Sequence, residues 1–192
     1  MLEVVVGCMF SGKSEELTRR LRRAKIAGQS VIAFKPSIDN RYESEKIASH
    51  SSVTFEAKTS RNFEDLITKV MEIRSKNGDR FPDVIGIDEV QFLPKDFVPF
   101  VEMIVNSGTK VILAGLDMDY LGKPFGPIPE LMAIGDKVIK LSAICVAEDE
   151  YGKICGEPAT RSYRLAAKDT GSLVQVGAVD SYQARCRKCW NK

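Results

Sequence analysis

Little in this sequence leans to one side. Lys and Arg total 28 against 26 Asp and Glu, a formal net charge of +2. The strong basic excess that usually marks a general nucleic-acid binder is missing. No apolar run approaches the roughly 18–20 residues of a membrane span. Met1-Leu2-Glu3-Val4 has neither the basic region nor the long apolar core of a secretory signal, so the expected compartment is the cytoplasm. Internal repeats, low-complexity tracts and Gly/Ser linkers are absent. Cysteine is scarce and odd in number, at five. In a reducing compartment that speaks against a disulfide framework and for a metal site plus one spare thiol. The single histidine, His50, is not required as a ligand.

The 192 residues, 44% of them hydrophobic, suit one main domain with a small appendage and a core that needs no staples. Short β-branched runs at Leu2–Val6, Val31–Phe34, Val84–Ile87 and Lys110–Ala114 read as buried strands, with Val138–Leu141 as a weaker fifth. Helical spacing separates them. Leu17, Leu21 and Ala24 recur with Arg19, Arg20, Arg22 and Arg23 on the other faces. Phe63, Leu66, Ile67, Val70 and Ile73 form a second stripe, and a third helix is expected over about Lys95–Asn106. This alternation predicts an α/β fold with a mostly parallel sheet covered on both faces. Two stretches break the alternation and read as rim loops: the polar Lys35–Ser52, and Gly115–Pro129, rich in Gly and Pro yet bearing large apolar groups. Past about residue 141 helical periodicity fades and four of the five cysteines appear. The expected division is therefore residues 1–140 and 141–192.

Gly7-Cys8-Met9-Phe10-Ser11-Gly12-Lys13-Ser14 fits G-x-x-x-x-G-K-[ST] without a mismatch. It follows an apolar strand and opens a helix, the context the motif requires. Successive backbone N–H groups and the helix N-terminus would cradle the phosphates of ATP, with Lys13 on the β/γ-phosphates and Ser14 on Mg²⁺. Val84–Ile87 ends in Asp88-Glu89. Asp88 is the expected second magnesium ligand. Glu89 is then left for proton chemistry, or else is an exposed acid or helix cap.

Cys186-Arg187-Lys188-Cys189 is a C-x-x-C pair, half of a tetrahedral Zn²⁺ site, and Cys145 and Cys155 are the candidates for the other half. Nine residues separate the latter two, polar enough to bulge out as a hairpin or loop at modest closure entropy. Four thiolates leave no open coordination position, so such zinc is structural. The alternative is free structural or redox cysteines.

Together these segments resemble the type II thymidine kinases. The resemblance runs through G-C-M-F-S-G-K-S at 7–14, F-K-P-S-I-D-N-R-Y at 34–42, S-H at 49–50 and I-D-E-V-Q-F at 87–92. It continues with A-G-L-D-M-D-Y at 114–120, K-P-F-G at 123–126 and Y-Q-A-R-C-R-K-C at 182–189. Two departures stand out: Cys8 where the family commonly has proline, and Cys145-x₉-Cys155 in place of a tight C-x-x-C. The resemblance implies a RecA-like P-loop domain followed by a small zinc-binding lasso domain. It implies transfer of the γ-phosphate of ATP to the 5′-hydroxyl of thymidine, with deoxyuridine also accepted and Glu89 as general base. Met9, Gln91, Phe92, Leu116, Tyr120 and Phe125 would line the thymine pocket. Leu173, Val174, Gln175, Val176, Gly177 and Tyr182 would form the lasso that closes it, and Ser162 would add a polar contact to the base. Asp39 and Arg41 resemble residues that reach the reacting phosphates. A homotetramer and feedback inhibition by thymidine triphosphate are likewise implied. Two rival classes remain: a P-loop ATPase acting on nucleic acid through Arg19–Arg23, Arg185, Arg187 and Lys188, and a zinc-stabilised interaction module with the nucleotide as a switch.

Overall fold

The β-branched runs are strands in the computed structural model, which describes residues 1–37, 46–48, 54–165 and 181–191. They are largely buried except Val138–Leu141, expected to be buried but lying at the sheet edge with Val138 39% exposed. In chain order the main unit comprises β1 (Leu2–Gly7), α1 (Lys13–Ile26), β2 (Val31–Pro36), β3 (Lys46–Ala48), β4 (Thr54–Glu56) and β5 (Lys58–Ser60). It continues through α2 (Phe63–Lys76), β6 (Val84–Ile87), α3 (Phe97–Asn106), β7 (Lys110–Gly115), α4 (Ile128–Ile134) and β8 (Lys137–Leu141). Six strands pair in parallel in the order β5-β2-β6-β7-β1-β8, while β3 and β4 form a separate antiparallel hairpin.

Side-chain alternation along the central strands builds two cores. Val4, Val6, Ile85, Ile87, Val111 and Leu113 pack with α2, α3 and α4, through residues such as Leu66, Val70, Phe97, Val101, Ile128 and Leu131. Val5, Val84, Ile112 and Ala114 pack on the opposite face against Leu17, Leu21 and Ala24 of α1. These are the expected α/β layers and the expected helix stripes. The β1–α1 layer is also tied by charge. Burial alone would raise Glu3, but Lys110, at 2.7 Å, and Arg20 of α1 hold its carboxyl below the ordinary value.

Further details differ from expectation, among them β3, which lies within the stretch read as a polar loop. The three-residue β5 adds a strand at the far edge of the sheet, where its Lys-Thr-Ser sequence shows no apolar alternation. The loop expected through Pro129 ends early, because α4 begins at Ile128 with proline in its first turn. Proline is tolerated there, since its missing N–H would have had no helical partner. The third helix begins at Phe97, two residues later than expected.

Beyond β8 lie two small antiparallel pairs, β9 (Ala143–Ile144) with β10 (Pro158–Ala159) and β11 (Arg161–Arg164) with β12 (Tyr182–Arg185), followed by α5 (Arg187–Trp190). Their shared core is Ala143, Cys145, Ala147, Ala159 and Ala184, with Cys186 and Cys189 against it. Side chains this small bury little apolar area, so the segment needs another source of stability. Cys8 of the main unit lies in the same cluster.

The nine residues after Cys145 form a tight hairpin. Glu148 bridges Ile154, Asp149 N–H donates to Lys153 O at 3.0 Å, and Cys155 N–H donates to Ala147 O at 2.8 Å. Asp149 Oδ1 caps the turn by accepting from the N–H groups of Tyr151 and Lys153. The hairpin brings Cys155 back beside Cys145, with Gly156 N–H donating to Cys145 O at 3.0 Å. The same Asp-x-x-Gly-Lys turn occurs at Asp119–Lys123, where Asp119 Oδ1 accepts from the N–H groups of Leu121 and Lys123. Among the described residues, no helix is long and apolar enough to cross a membrane.

Candidate active site

Parallel pairing brings the carboxyl ends of β1, β6 and β7 to one rim of the sheet, where α/β proteins bind ligands. The loop 7–14 leaves β1 there. Gly7 has φ +150°, and a Cβ on it would stand 2.5 Å from Leu141 O, so a side chain has no room where the loop turns over β8. Gly12 (φ 82°) precedes α1 without capping it by a side chain, leaving the first-turn N–H groups to an anion. Lys13 Nζ donates to Cys8 O at 2.7 Å and Ser11 Oγ to the same carbonyl at 2.8 Å, so both side chains arch over the loop. Phe10 is exposed, with φ 65°.

The loop is anchored from the far side by the C-terminal segment. Met9 N–H donates to Ser162 Oγ at 3.0 Å, and Cys8 Sγ to Ala159 O at 3.2 Å. Burial pushes the Cys8 thiol above its ordinary value, keeping it a neutral packing group. The fifth cysteine thus joins the phosphate loop to the cysteine module. Ser162 holds the loop through its acceptor side; a hydroxyl also carries a donor for another partner.

Although β7 separates β1 from β6 in the sheet, Ser14 Oγ donates to Asp88 Oδ2 at 2.8 Å. Burial first, and the neighbouring charge of Glu89 second, push Asp88 up to about 6. A buried carboxylate beside a hydroxyl is a hard oxygen pair of the kind Mg²⁺ takes, and a bound cation would restore its charge. Glu89 sits at φ 54°, a left-handed conformation that turns the chain sharply off β6. Its N–H donates to Asp88 Oδ1 at 3.0 Å. Gln91 Nε2 donates to Glu89 Oε2 at 2.6 Å, and Leu116 N–H donates to Gln91 Oε1 at 3.0 Å. Gln91 links Glu89 to the loop after β7 through these two bonds. Gly126 presses on the same link: with φ 54°, a Cβ there would lie 2.2 Å from Gln91 O.

Met9, Phe92, Leu116, Tyr120, Phe125 and Tyr182 are all half-buried, unlike the apolar groups of the two cores. Phe92 and Phe125 meet edge to face at 5.6 Å. Tyr120 and Tyr182 meet through Arg164, which has its guanidinium 3.7 Å from the Tyr120 ring centre. Sequence reasoning missed Arg164. The only signal was its place two residues after Ser162, because its partner Tyr120 lies far back in the chain. Asp39, Arg41 and Leu173–Gly177, as well as His50, lie outside the described residues.

The sulfur atoms of Cys145, Cys155, Cys186 and Cys189 all lie within 4.8 Å of one another. A tetrahedron with Zn–S bonds of about 2.3 Å has edges of about 3.8 Å, so the four can hold one metal ion. Cys189 N–H reaches Cys186 Sγ at 3.5 Å, and this bond pulls the Cys186 thiol down to about 7.

The thymidine kinase family model matches residues 1–190. The chain belongs to the thymidine kinase family. The match takes in the phosphate loop, the acidic pair and all four clustered cysteines. Among solved structures this chain is similar to an ATPase, with 14% identity over 73% of this chain and 65% of that one, at a TM-score of 0.46. It is also similar to a DNA replication initiation factor, with 15% identity over 73% of this chain and 40% of that one, at a TM-score of 0.42. The chain spans less than two thirds of the length of either.

Proposed function

We propose that this chain transfers the γ-phosphoryl group of ATP to the 5′-hydroxyl of thymidine, giving thymidine monophosphate and ADP. The observation that carries the reading is the chain Glu89–Gln91–Leu116, which ties a candidate base to the loop bearing Leu116, Tyr120 and Phe125. A P-loop ATPase also orients a group on its attacking water, but it needs no acceptor pocket, and here the carboxylate is tied to a rim loop bearing half-buried Leu116, Tyr120 and Phe125. In the reaction, the thymidine 5′-oxygen bonds to the γ-phosphorus, the bond from that phosphorus to the β,γ-bridging oxygen breaks, and the 5′-hydroxyl proton passes to Glu89. Lys13 and the loop N–H groups neutralise charge growing on the leaving phosphate. Ser14 and Asp88 would hold Mg²⁺, which when bound adds to that neutralisation. Met9, Phe92, Leu116, Tyr120, Phe125 and Tyr182 suit an uncharged base, which favours an apolar pocket with few polar groups.

The nucleic-acid reading draws on basic clusters of which Arg19, Arg20 and Arg185 have partners within the chain. Arg19 and Arg20 pair with Glu16, and Arg185 stacks over Tyr163 at 3.4 Å. A homotetramer, feedback inhibition by thymidine triphosphate and a cytoplasmic location belong to the same proposal. ADP release with a panel of acceptors tests it. Thymidine and deoxyuridine should accelerate release, while deoxycytidine, purine nucleosides and DNA should not. A response to DNA or deoxycytidine in place of thymidine would overturn it.

The four cysteines hold Zn²⁺ in this reading, with a structural role. Elemental analysis of natively purified protein should find about one zinc per chain. Cys186→Ser or Cys189→Ser should lose it and weaken thymidine binding, because Tyr182 and Ser162 sit on the strands the metal braces. Native protein without zinc would contradict this.

A further inference from the structure

We propose that Arg164 is a positioning residue for the nucleoside pocket: its guanidinium locks Tyr120 of the rim loop to Tyr182 of β12 and so sets the width between them. The inference rests on the base-pocket reading above. Arg164 closes β11 directly opposite Tyr182 in the antiparallel register, and it is only 6% exposed. Its Nε donates to the Tyr182 hydroxyl at 3.0 Å, and a second guanidinium nitrogen donates to the same oxygen. The guanidinium carbon lies 3.7 Å from the centre of the Tyr120 ring and 5.1 Å from that of Tyr182. The two rings come from different parts of the chain, one from the loop after β7 and the other from the cysteine module. One buried cation makes their spacing a single quantity.

Arginine is the side chain suited to this task. Its flat guanidinium can stack on one ring while forking two donors to one oxygen, whereas a lysine ammonium is a compact, strongly hydrated point charge. The same rim loop has a second contact with the module. A Cβ on Gly122 would come within 3.0 Å of Trp190, the chain's single tryptophan. Trp190 therefore reports whether the loop is seated, with or without a substrate.

The test compares wild type with R164Q and R164K. It measures zinc content, KM for thymidine, KM for ATP, kcat and Trp190 emission without ligand. Both variants should raise the thymidine KM about tenfold, as expected for losing one desolvated stacking contact. KM for ATP and kcat should stay within about twofold, zinc should be retained, and Trp190 emission should shift to longer wavelength. R164K should not rescue, because charge without planarity cannot clamp both rings. Equal rises in both KM values, full rescue by lysine, or unchanged thymidine KM with unchanged emission would each overturn the proposal. If wild type turns over no thymidine, the functional reading fails on its own. Trp190 emission then still decides whether Arg164 seats the loop: an unshifted band in both variants sinks it.

Discussion

Replacing Lys13 by alanine is expected to lower kcat by about 10²–10³ or more, with every phosphate donor. The transition state of phosphoryl transfer is loose, so a kinase works mainly by positioning and by neutralising charge on the leaving phosphate. Lys13 contributes a cation at the start of α1, where the uncapped first-turn N–H groups already favour an anion. Its ammonium is drawn over the loop by Cys8 O at 2.7 Å, which uses one of three donors. Alanine removes the cation without disturbing Gly7, Gly12 or the Cys8 anchor, so the fold and zinc content should be retained. Steady-state kinetics with ATP and a second nucleoside triphosphate check this. Near-wild-type turnover with either donor would mean that the loop does not hold the reacting phosphates.

Glu89→Gln is expected to lower kcat by about 10²–10⁴ while thymidine still binds. The amide keeps the size of the carboxylate and can still bond Gln91, so the chain from residue 89 to Leu116 need not collapse. It cannot take the 5′-hydroxyl proton. The expected signature is a fall in kcat at nearly constant dissociation constant for thymidine, read by calorimetry alongside kinetics. A variant that retains most of its turnover would show that another group, or none, serves as base. Gln91→Ala separates orientation from proton transfer, because it leaves the carboxylate in place but removes the 2.6 Å bond that aims it. Its loss in kcat should be smaller than that of Glu89→Gln.

What the chain discloses before folding follows from how local each feature is. The phosphate loop is contiguous, and its glycines, lysine and serine run from the end of one strand to the first turn of the next helix. Eight consecutive positions decide its geometry. The pairing of Ser14 with Asp88 is longer in range, yet the carboxyl end of an apolar strand still marks it. The four cysteines are legible through ligand chemistry, although the spacing of Cys145 and Cys155 concealed how the site closes. The answer is a hairpin capped by Asp149, whose turn chemistry was present in Asp-x-x-Gly-Lys. Arg164 was not legible, because its value depends on Tyr120 arriving from a distant loop. Ser162 and Gln91 are expected from the sequence to face the substrate. Their hydrogen bonds to Met9 and to Glu89 emerge only from tertiary packing. Cys8 was identifiable as the spare thiol; its packing into the cysteine module is a property of the folded chain.

The most direct test of the central claim is the fate of the γ-phosphate. Incubated with γ-labelled ATP, magnesium and thymidine, the protein should place the label on the 5′-oxygen of thymidine, one equivalent for each ADP formed. Label released as inorganic phosphate at a rate indifferent to thymidine would contradict the account.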